Sequence, residues 1–141
     1  MKHILILLIM AIMAPMAIGQ SHKLTLKVKN IEEVIGQMCL AVYGSEDDYK
    51  DSKNQVWADC IPVNTSSLEL IIEDLPKGTY MISIFHDMDS NEELNTNWIG
   101  MPKEPFGFSK DAKGKMGPPK FEDASFELNG DMETTIHLMT L

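Results

Sequence analysis

Hydrophobic and polar residues alternate along most of the chain after residue 20, with the period of two that is typical of β-strands. Leu24, Leu26 and Val28 alternate with polar residues, which predicts a strand with one wet face. The clearest pattern runs from Thr79 to Phe85. Further strands are predicted at Met38–Tyr43, Val56–Val63, Leu68–Ile72, Phe121–Leu128 and Thr134–Leu141.

Turn signals separate these segments. Pro62 marks one of them as an edge strand, and residues 44–55 predict a loop or one short helical turn. Asn129-Gly130-Asp131 predicts a hairpin between the last two strands. About seven strands and no long helix predict an all-β fold, a single antiparallel β-sandwich of immunoglobulin-like or transthyretin-like type.

The N-terminal segment has the features of a secretory signal peptide. Residues 1–19 contain Lys2, an apolar run from Ile4 to Met13 and small residues ending at Gly19. The run is too short to cross a bilayer, and no later segment reaches transmembrane length. We therefore expect residues 20–141 to form one exported domain, in the periplasm or the medium.

Charge narrows the classes of partner. The chain has 12 Lys and no Arg against 21 acidic residues. Removal of the signal peptide would take away Lys2 and leave the mature protein with a net charge of −10. A net acidic protein does not suit nucleic acid, whose phosphates need a basic face. The same charge disfavours binding to anionic membranes.

The mature part contains two cysteines, Cys39 and Cys60. Exported proteins meet an oxidising compartment, so we expect these two residues to form a disulfide. The alternative is two small buried residues that never pair. No CxxC motif or adjacent histidine supports catalysis by either thiol.

Residues 86–120 form a predicted loop far longer than the usual connection, and loops of this length are functional or disordered. Apolar residues such as Leu94, Ile99 and Met101 favour an ordered loop folded over the sandwich.

The first part of this loop carries oxygen ligands at calcium-loop spacing. Asp87, Asp89 and Asn91 alternate, and Glu93 and Asn95 could complete the shell. An EF-hand is excluded, because Trp98 stands where the bidentate Glu belongs and no flanking helices are predicted. The alternative is an Asx-rich turn that caps backbone amides without a metal.

His86 has two interpretations. The ordinary one is a hydrogen-bonded histidine that orients the acidic loop. The other is a general base or a transition-metal ligand acting with Asp87, the general base belonging to a hydrolase-like enzyme. No nucleophile elbow, metal-binding histidine pair or Cys-His arrangement accompanies it, so we expect no enzymatic activity.

The second part of the loop is rich in lysine and carries aromatic residues. His86, Trp98, Lys103, Phe106 and Phe108 are the candidate ligand-binding residues, for an anionic or glycan ligand. The more common arrangement is that Trp98 and the two phenylalanines anchor the loop while the lysines are solvated.

Several motifs together resemble the exported bacterial family known as domain of unknown function 2141. They include Leu75-Pro76-Lys77-Gly78-Thr79-Tyr80, His86-Asp87, Ile99-Gly100-Met101-Pro102-Lys103-Glu104, Phe106-Gly107-Phe108-Ser109 and Gly117-Pro118-Pro119-Lys120-Phe121. The resemblance implies an exported β-sandwich. The family's acidic loop is similar to Asp-x-Asn-Gly-Asn-Gly-Lys-Leu-Asp. This chain has Ser90 and Glu92 in place of the two glycines.

The sequence therefore predicts a non-enzymatic binding or scaffolding module of the cell envelope, with calcium as the one expected cofactor. Its partner would be an envelope or extracellular glycan or protein. The hydrolase using His86 and Asp87 and a purely structural assembly subunit are the alternatives.

Overall fold

The computed structural model describes residues 19–141, so the signal-peptide prediction for residues 1–19 concerns a segment almost wholly outside the described residues. Eight strands form the framework of the described fold, at Ser21–Lys29 (β1), Gln37–Tyr43 (β2), Trp57–Pro62 (β3), Leu68–Pro76 (β4), Gly78–Asp87 (β5), Phe106–Phe108 (β6), Phe126–Leu128 (β7) and Met132–His137 (β8). Short helices lie at Glu46–Asp51 (α1) and Phe121–Ala124 (α2), and a 3-10 turn at Ser109–Asp111.

The strands form two sheets. The first sheet has the order β4-β1-β8, and the second has the order β3-β2-β5-β6. The short strands β6 and β7 lie end to end along the same edge of β5, pairing with Ser83–Phe85 and Gly78–Tyr80 respectively. The predicted all-β sandwich is thus confirmed, and β3, which ends at Pro62, is an edge strand as expected. The immunoglobulin-like or transthyretin-like type of the sandwich stays a prediction.

Side chains from both sheets meet in one apolar core. Leu26, Val42, Ile72, Ile82 and Ile136 are all fully or almost fully buried in it. These residues come from five strands of the two sheets, so the core lies between the sheets. No helix among residues 19–141 is long and apolar enough to span a membrane.

Two of the C-terminal predictions are wrong. The strand predicted at Phe121–Leu128 begins only at Phe126, because residues 121–124 form the helix α2 instead. Phe121 and Ala124 are three residues apart, so the helix turns both side chains towards the sheet. The predicted hairpin at Asn129-Gly130-Asp131 does not form either. β7 pairs with β5 in the second sheet, whereas β8 pairs in parallel with β1 in the first.

A second, smaller cluster lies on the outer face of the second sheet. Tyr43, Met81 and Phe108 are buried there under Ala124 of α2. The segment predicted as a loop from 86 to 120 is therefore divided. Residues 88–105 connect β5 to β6, and residues 109–124 cover one end of this face.

Candidate functional site

The site is built around Asp87, the last residue of β5. Its carboxylate is fully buried, and Gln37 stands opposite it on β2. One oxygen, Oδ2, accepts hydrogen bonds from Gln37 Nε2 at 2.8 Å and from the Glu92 amide at 2.8 Å. The other, Oδ1, accepts from the Asn91 amide at 3.1 Å. The strand end therefore carries a buried carboxylate that faces the following turn.

Burial is the largest single influence on the pKa of Asp87, and it acts to raise it. The hydrogen bonds from Gln37 and from the Glu92 and Asn91 amides act the other way and together lower the pKa below the ordinary value of 3.8. Asp87 is consequently a buried anion at neutral pH.

Asp89 and Asn95 close the turn over Asp87. The Asn95 side-chain amide donates to Asp89 Oδ2 at 2.8 Å, and the Asn91 amide nitrogen Nδ2 donates to Asn95 Oδ1 at 2.9 Å. The turn requires left-handed backbone at Ser90 and Glu92, with φ of 57° and 63°. These are the positions at which the resembled family pattern has its two glycines.

Glu104, which the sequence analysis did not select, completes the cluster. It is 3% exposed, and its two oxygens accept from the Met88 amide at 2.9 Å and the Asn95 amide at 3.0 Å. Carboxylate oxygens of Asp87, Asp89 and Glu104 all lie within 4.8 Å of one another. No spacing rule relates residue 104 to residue 87, because a small hairpin over Asn95–Lys103 separates them.

Within residues 19–141 the three carboxylates have no cationic partner. Among the ion pairs of residues 19–141, none involves Asp87, Asp89 or Glu104. The donors to these carboxylates in the described part of the chain are side-chain amides and backbone N–H groups. Three carboxylates within 4.8 Å of one another, two of them buried, form an acidic site that favours a positive charge.

The other residues of the predicted calcium set are placed as follows. Asn91 Oδ1 accepts from the Glu93 amide at 2.9 Å, so Asn91 is part of the turn's internal network. Glu93 itself is exposed, and its carboxylate lies outside the three-carboxylate cluster.

His86 and Asp87 do not act as a pair in this structure. His86 is 1% exposed, and its Nε2 lies 2.8 Å from the carbonyl oxygen of Ile35. Neighbouring residues of a strand point to opposite faces, and within the described part of the chain no hydrogen bond joins the two side chains. His86 fixes the loop before β2 to the end of β5.

The candidate ligand-binding residues are not gathered on one surface. Phe108 is buried in the outer-face cluster, and half-buried Phe106 packs edge-on against it. Trp98, by contrast, is 95% exposed at the tip of the Asn95–Lys103 hairpin. The expectation that all three aromatics anchor the segment therefore holds for the two phenylalanines and is wrong for Trp98. Lys103 is exposed at the base of the hairpin.

The disulfide is confirmed. Cys39 and Cys60 face each other on β2 and β3 and are bonded. The bond lies on the outer face of the second sheet, because Cys39 is four residues from Tyr43 on β2 and Tyr43 belongs to the outer-face cluster.

Fold and site together define a disulfide-bonded β-sandwich protein with an acidic turn, residues 87–95, at one end of its larger sheet. The chain belongs to the bacterial family described as "Uncharacterized protein conserved in bacteria (DUF2141)", which matches residues 26–137. The family resemblance read from the sequence is thus confirmed. No curated protein and no solved structure matches the chain.

Proposed function

We propose that this protein is an exported, non-enzymatic binding or scaffolding module of the cell envelope, in which the acidic turn holds a structural calcium ion. The observation that carries the proposal is the convergence of Asp87, Asp89 and Glu104 within 4.8 Å without a cationic partner among the described residues.

The spacing of these oxygens suits a hard cation. Calcium binds oxygens at about 2.3–2.6 Å, so two oxygens on opposite sides of one ion are at most about 5 Å apart. The three carboxylates meet that limit already. The side-chain carbonyl oxygens of Asn91 and Asn95, predicted as ligands from the sequence, lie in the same turn. Each accepts one hydrogen bond there, and its second lone pair could bind the ion.

An ion at this position would stabilise the segment between β5 and β6. Asp87 ends β5, and Glu104 lies two residues before β6 begins at Phe106. A cation bound by both would hold the two ends of residues 88–105 together. The exposed hairpin tip that includes Trp98 would then project from a fixed base, as a binding module requires.

The disulfide is compatible with export, because such bonds persist in oxidising compartments. The signal-like sequence of residues 1–19 supports the same location.

Thermal unfolding in EDTA and in millimolar calcium tests the proposal. A ligand at 100 times its Kd that binds only the folded protein adds about 2.7 kcal/mol. With an unfolding entropy of about 2.1 cal/mol/K per residue over the described domain, the Tm rises by about 10 °C.

Matched variants test whether the three-carboxylate cluster causes the calcium-dependent rise in Tm. Asp89→Asn combined with Glu104→Gln should abolish the calcium-dependent rise, and Asp87→Ala combined with Asp89→Ala should do the same. Glu93→Gln, which removes a nearby acid outside the cluster, should retain it. Wild-type protein with equal Tm in EDTA and calcium would refute the metal site and leave a metal-free Asx-rich turn.

A further inference from the structure

The outer face of the second sheet has an open cavity of about 540 Å³, separate from the three-carboxylate cluster. Its floor is a row of small side chains that stand side by side on three neighbouring strands. In this row Ala41 of β2 pairs with Ala58 of β3 on one side and with Ser83 of β5 on the other. A row of small residues leaves a trough across a sheet face, so the strand register produces the cavity.

Larger side chains bound the trough on both sides. The disulfide of Cys39 and Cys60 forms one wall together with half-buried Phe85, which pairs with Cys39 across β2 and β5. Tyr43 lines the opposite side. Cys39 and Tyr43 are four residues apart on one strand, which places the walls about 13 Å apart. The volume falls within the range of about 300–1,000 Å³ that is usual for small-molecule sites.

Polar groups in the trough remain available to a ligand. Gln37 uses its Nε2 group on Asp87, but no described residue donates to its side-chain carbonyl oxygen. The Ser83 hydroxyl likewise has no hydrogen-bond partner within residues 19–141. Gln55, Asp59 and Glu92 lie at the rim. Gln55 Nε2 donates to the Ser52 carbonyl oxygen and Asp59 Oδ1 accepts from the Cys60 amide, which leaves Asp59 Oδ2 and the exposed Glu92 carboxylate as acceptors for a ligand.

The charge of the lining excludes anionic ligands. Asp59 and Glu92 are its charged members, and no lysine or histidine of the described chain lines the trough. A phosphate or an acidic sugar would meet two carboxylates without a compensating cation. A neutral ligand with several hydroxyl groups can instead donate to these carboxylates.

We propose that this trough binds an uncharged sugar ring. The apolar face of such a ring can pack on Phe85 while its hydroxyls bond to Gln37, Ser83 and the rim carboxylates. The inference rests on the proposed function in that it names the ligand class of that binding module. It does not require the cation, because Asp89 and Glu104 do not line the trough.

Titration of the ¹⁵N-labelled protein, produced from the full chain, with maltotriose, cellotriose and chitotriose tests the proposal. At least one of these should cause saturable shifts at the amides of Ala41, Ala58 and Ser83. Trigalacturonate should not. Overturning results are the absence of saturable binding by all three neutral sugars, or tighter binding of tetralysine at the same amides.

Variants locate the binding. Ala58 is exposed on an edge strand, so Ala58→Phe can fill the trough without disturbing the core, and it should weaken sugar binding at least tenfold. Ile71→Phe, at an exposed position of edge strand β4 in the other sheet, should leave sugar binding unchanged. Phe85→Leu, which keeps an apolar side chain but removes the aromatic face, should also weaken it about tenfold. Undiminished binding in both Ala58→Phe and Phe85→Leu would refute the site.

The sugar titration is run in EDTA and in calcium, so that the two proposals fail separately. Sugar binding without calcium-dependent stabilisation would refute the metal site alone. Calcium-dependent stabilisation without sugar binding would refute the trough alone.

Discussion

The acidic turn stores backbone strain at a residue where it can be relieved without loss of contacts. Ser90 has φ of 57°, in the left-handed region that residues other than glycine seldom adopt. Its side chain is exposed and makes no hydrogen bond to any residue of the described chain. We therefore predict that Ser90→Gly stabilises the protein.

Two opposing terms set the size of the effect. Left-handed backbone costs an L-residue about 1–2 kcal/mol, which glycine avoids. Glycine loses about 0.5–1 kcal/mol through the greater freedom of the unfolded chain. The net gain in the free energy of unfolding is about 0.5–1 kcal/mol. For a domain of this length that gain raises the Tm by about 2–4 °C.

Differential scanning calorimetry of Ser90→Gly and Ser90→Ala in EDTA measures the effect. The alanine variant removes the same hydroxyl but keeps the strained φ, so it should not gain stability. A turn serine that does not have positive φ provides a second control, and Ser66→Gly should lower the Tm. The reasoning is refuted if Ser90→Gly melts at or below the wild-type temperature, or if Ser90→Ala gains as much as Ser90→Gly.

Three further variants test the packing and the charge of the site. Gly36 has φ of 64°, and an added Cβ would overlap the Asp87 carbonyl oxygen. Gly36→Ala should therefore lower the free energy of unfolding, measured in urea, by about 2 kcal/mol or more. Gly130 has open space around it, so Gly130→Ala should change that free energy by no more than about 0.5 kcal/mol. Trp98→Ala should leave stability within about 0.5 kcal/mol because the ring is exposed, whereas Phe108→Ala should lose about 3 kcal/mol; equal effects in thermal melts would contradict the placement of the two rings. The pKa of Asp87 is lower in the folded than in the unfolded protein, so its stabilisation is complete above about pH 4 and is lost as pH falls through the folded pKa. Stability measured against pH should fall less steeply in that acidic range for Asp87→Asn, and an unchanged profile would contradict the lowered pKa.

Local patterns predicted the strands well, because alternation depends only on which face of a strand is buried. Thr79–Phe85 lies within β5, and the core residues of β1 follow its alternation. Pairing between distant strands has no such local signal. The parallel pair of β1 and β8 and the failure of the Asn129-Gly130 hairpin both arise because β8 crosses to the other sheet. Tertiary packing decided these pairings against a strong turn signal.

The same distinction applies to the site. Asp87, Asp89 and Asn91 could be selected because one tight turn brings alternate residues together. Glu104 could not, since its approach depends on the hairpin that returns the chain to β6. Trp98 was predicted to be buried and is instead exposed. Loop aromatics are usually buried, but the Asn97 side chain accepts from the Ile99 and Met101 amides and forms a tight tip that keeps the ring in solvent.

The acidic turn lies between the trough and the exposed hairpin over Asn95–Lys103, and it contacts both of them. The Glu92 amide donates to Asp87, while the Glu92 side chain lines the trough on the outer sheet face. The Asn95 amide donates to Glu104 at the base of the exposed hairpin. A cation that fixed the carboxylates would therefore restrict both the rim of the trough and the base of the hairpin. With both sites present, the affinity for sugar should rise modestly in calcium. Glu92→Gly frees the backbone and removes the rim carboxylate but leaves Asp87, Asp89 and Glu104 in place. This variant should reduce the dependence of sugar affinity on calcium.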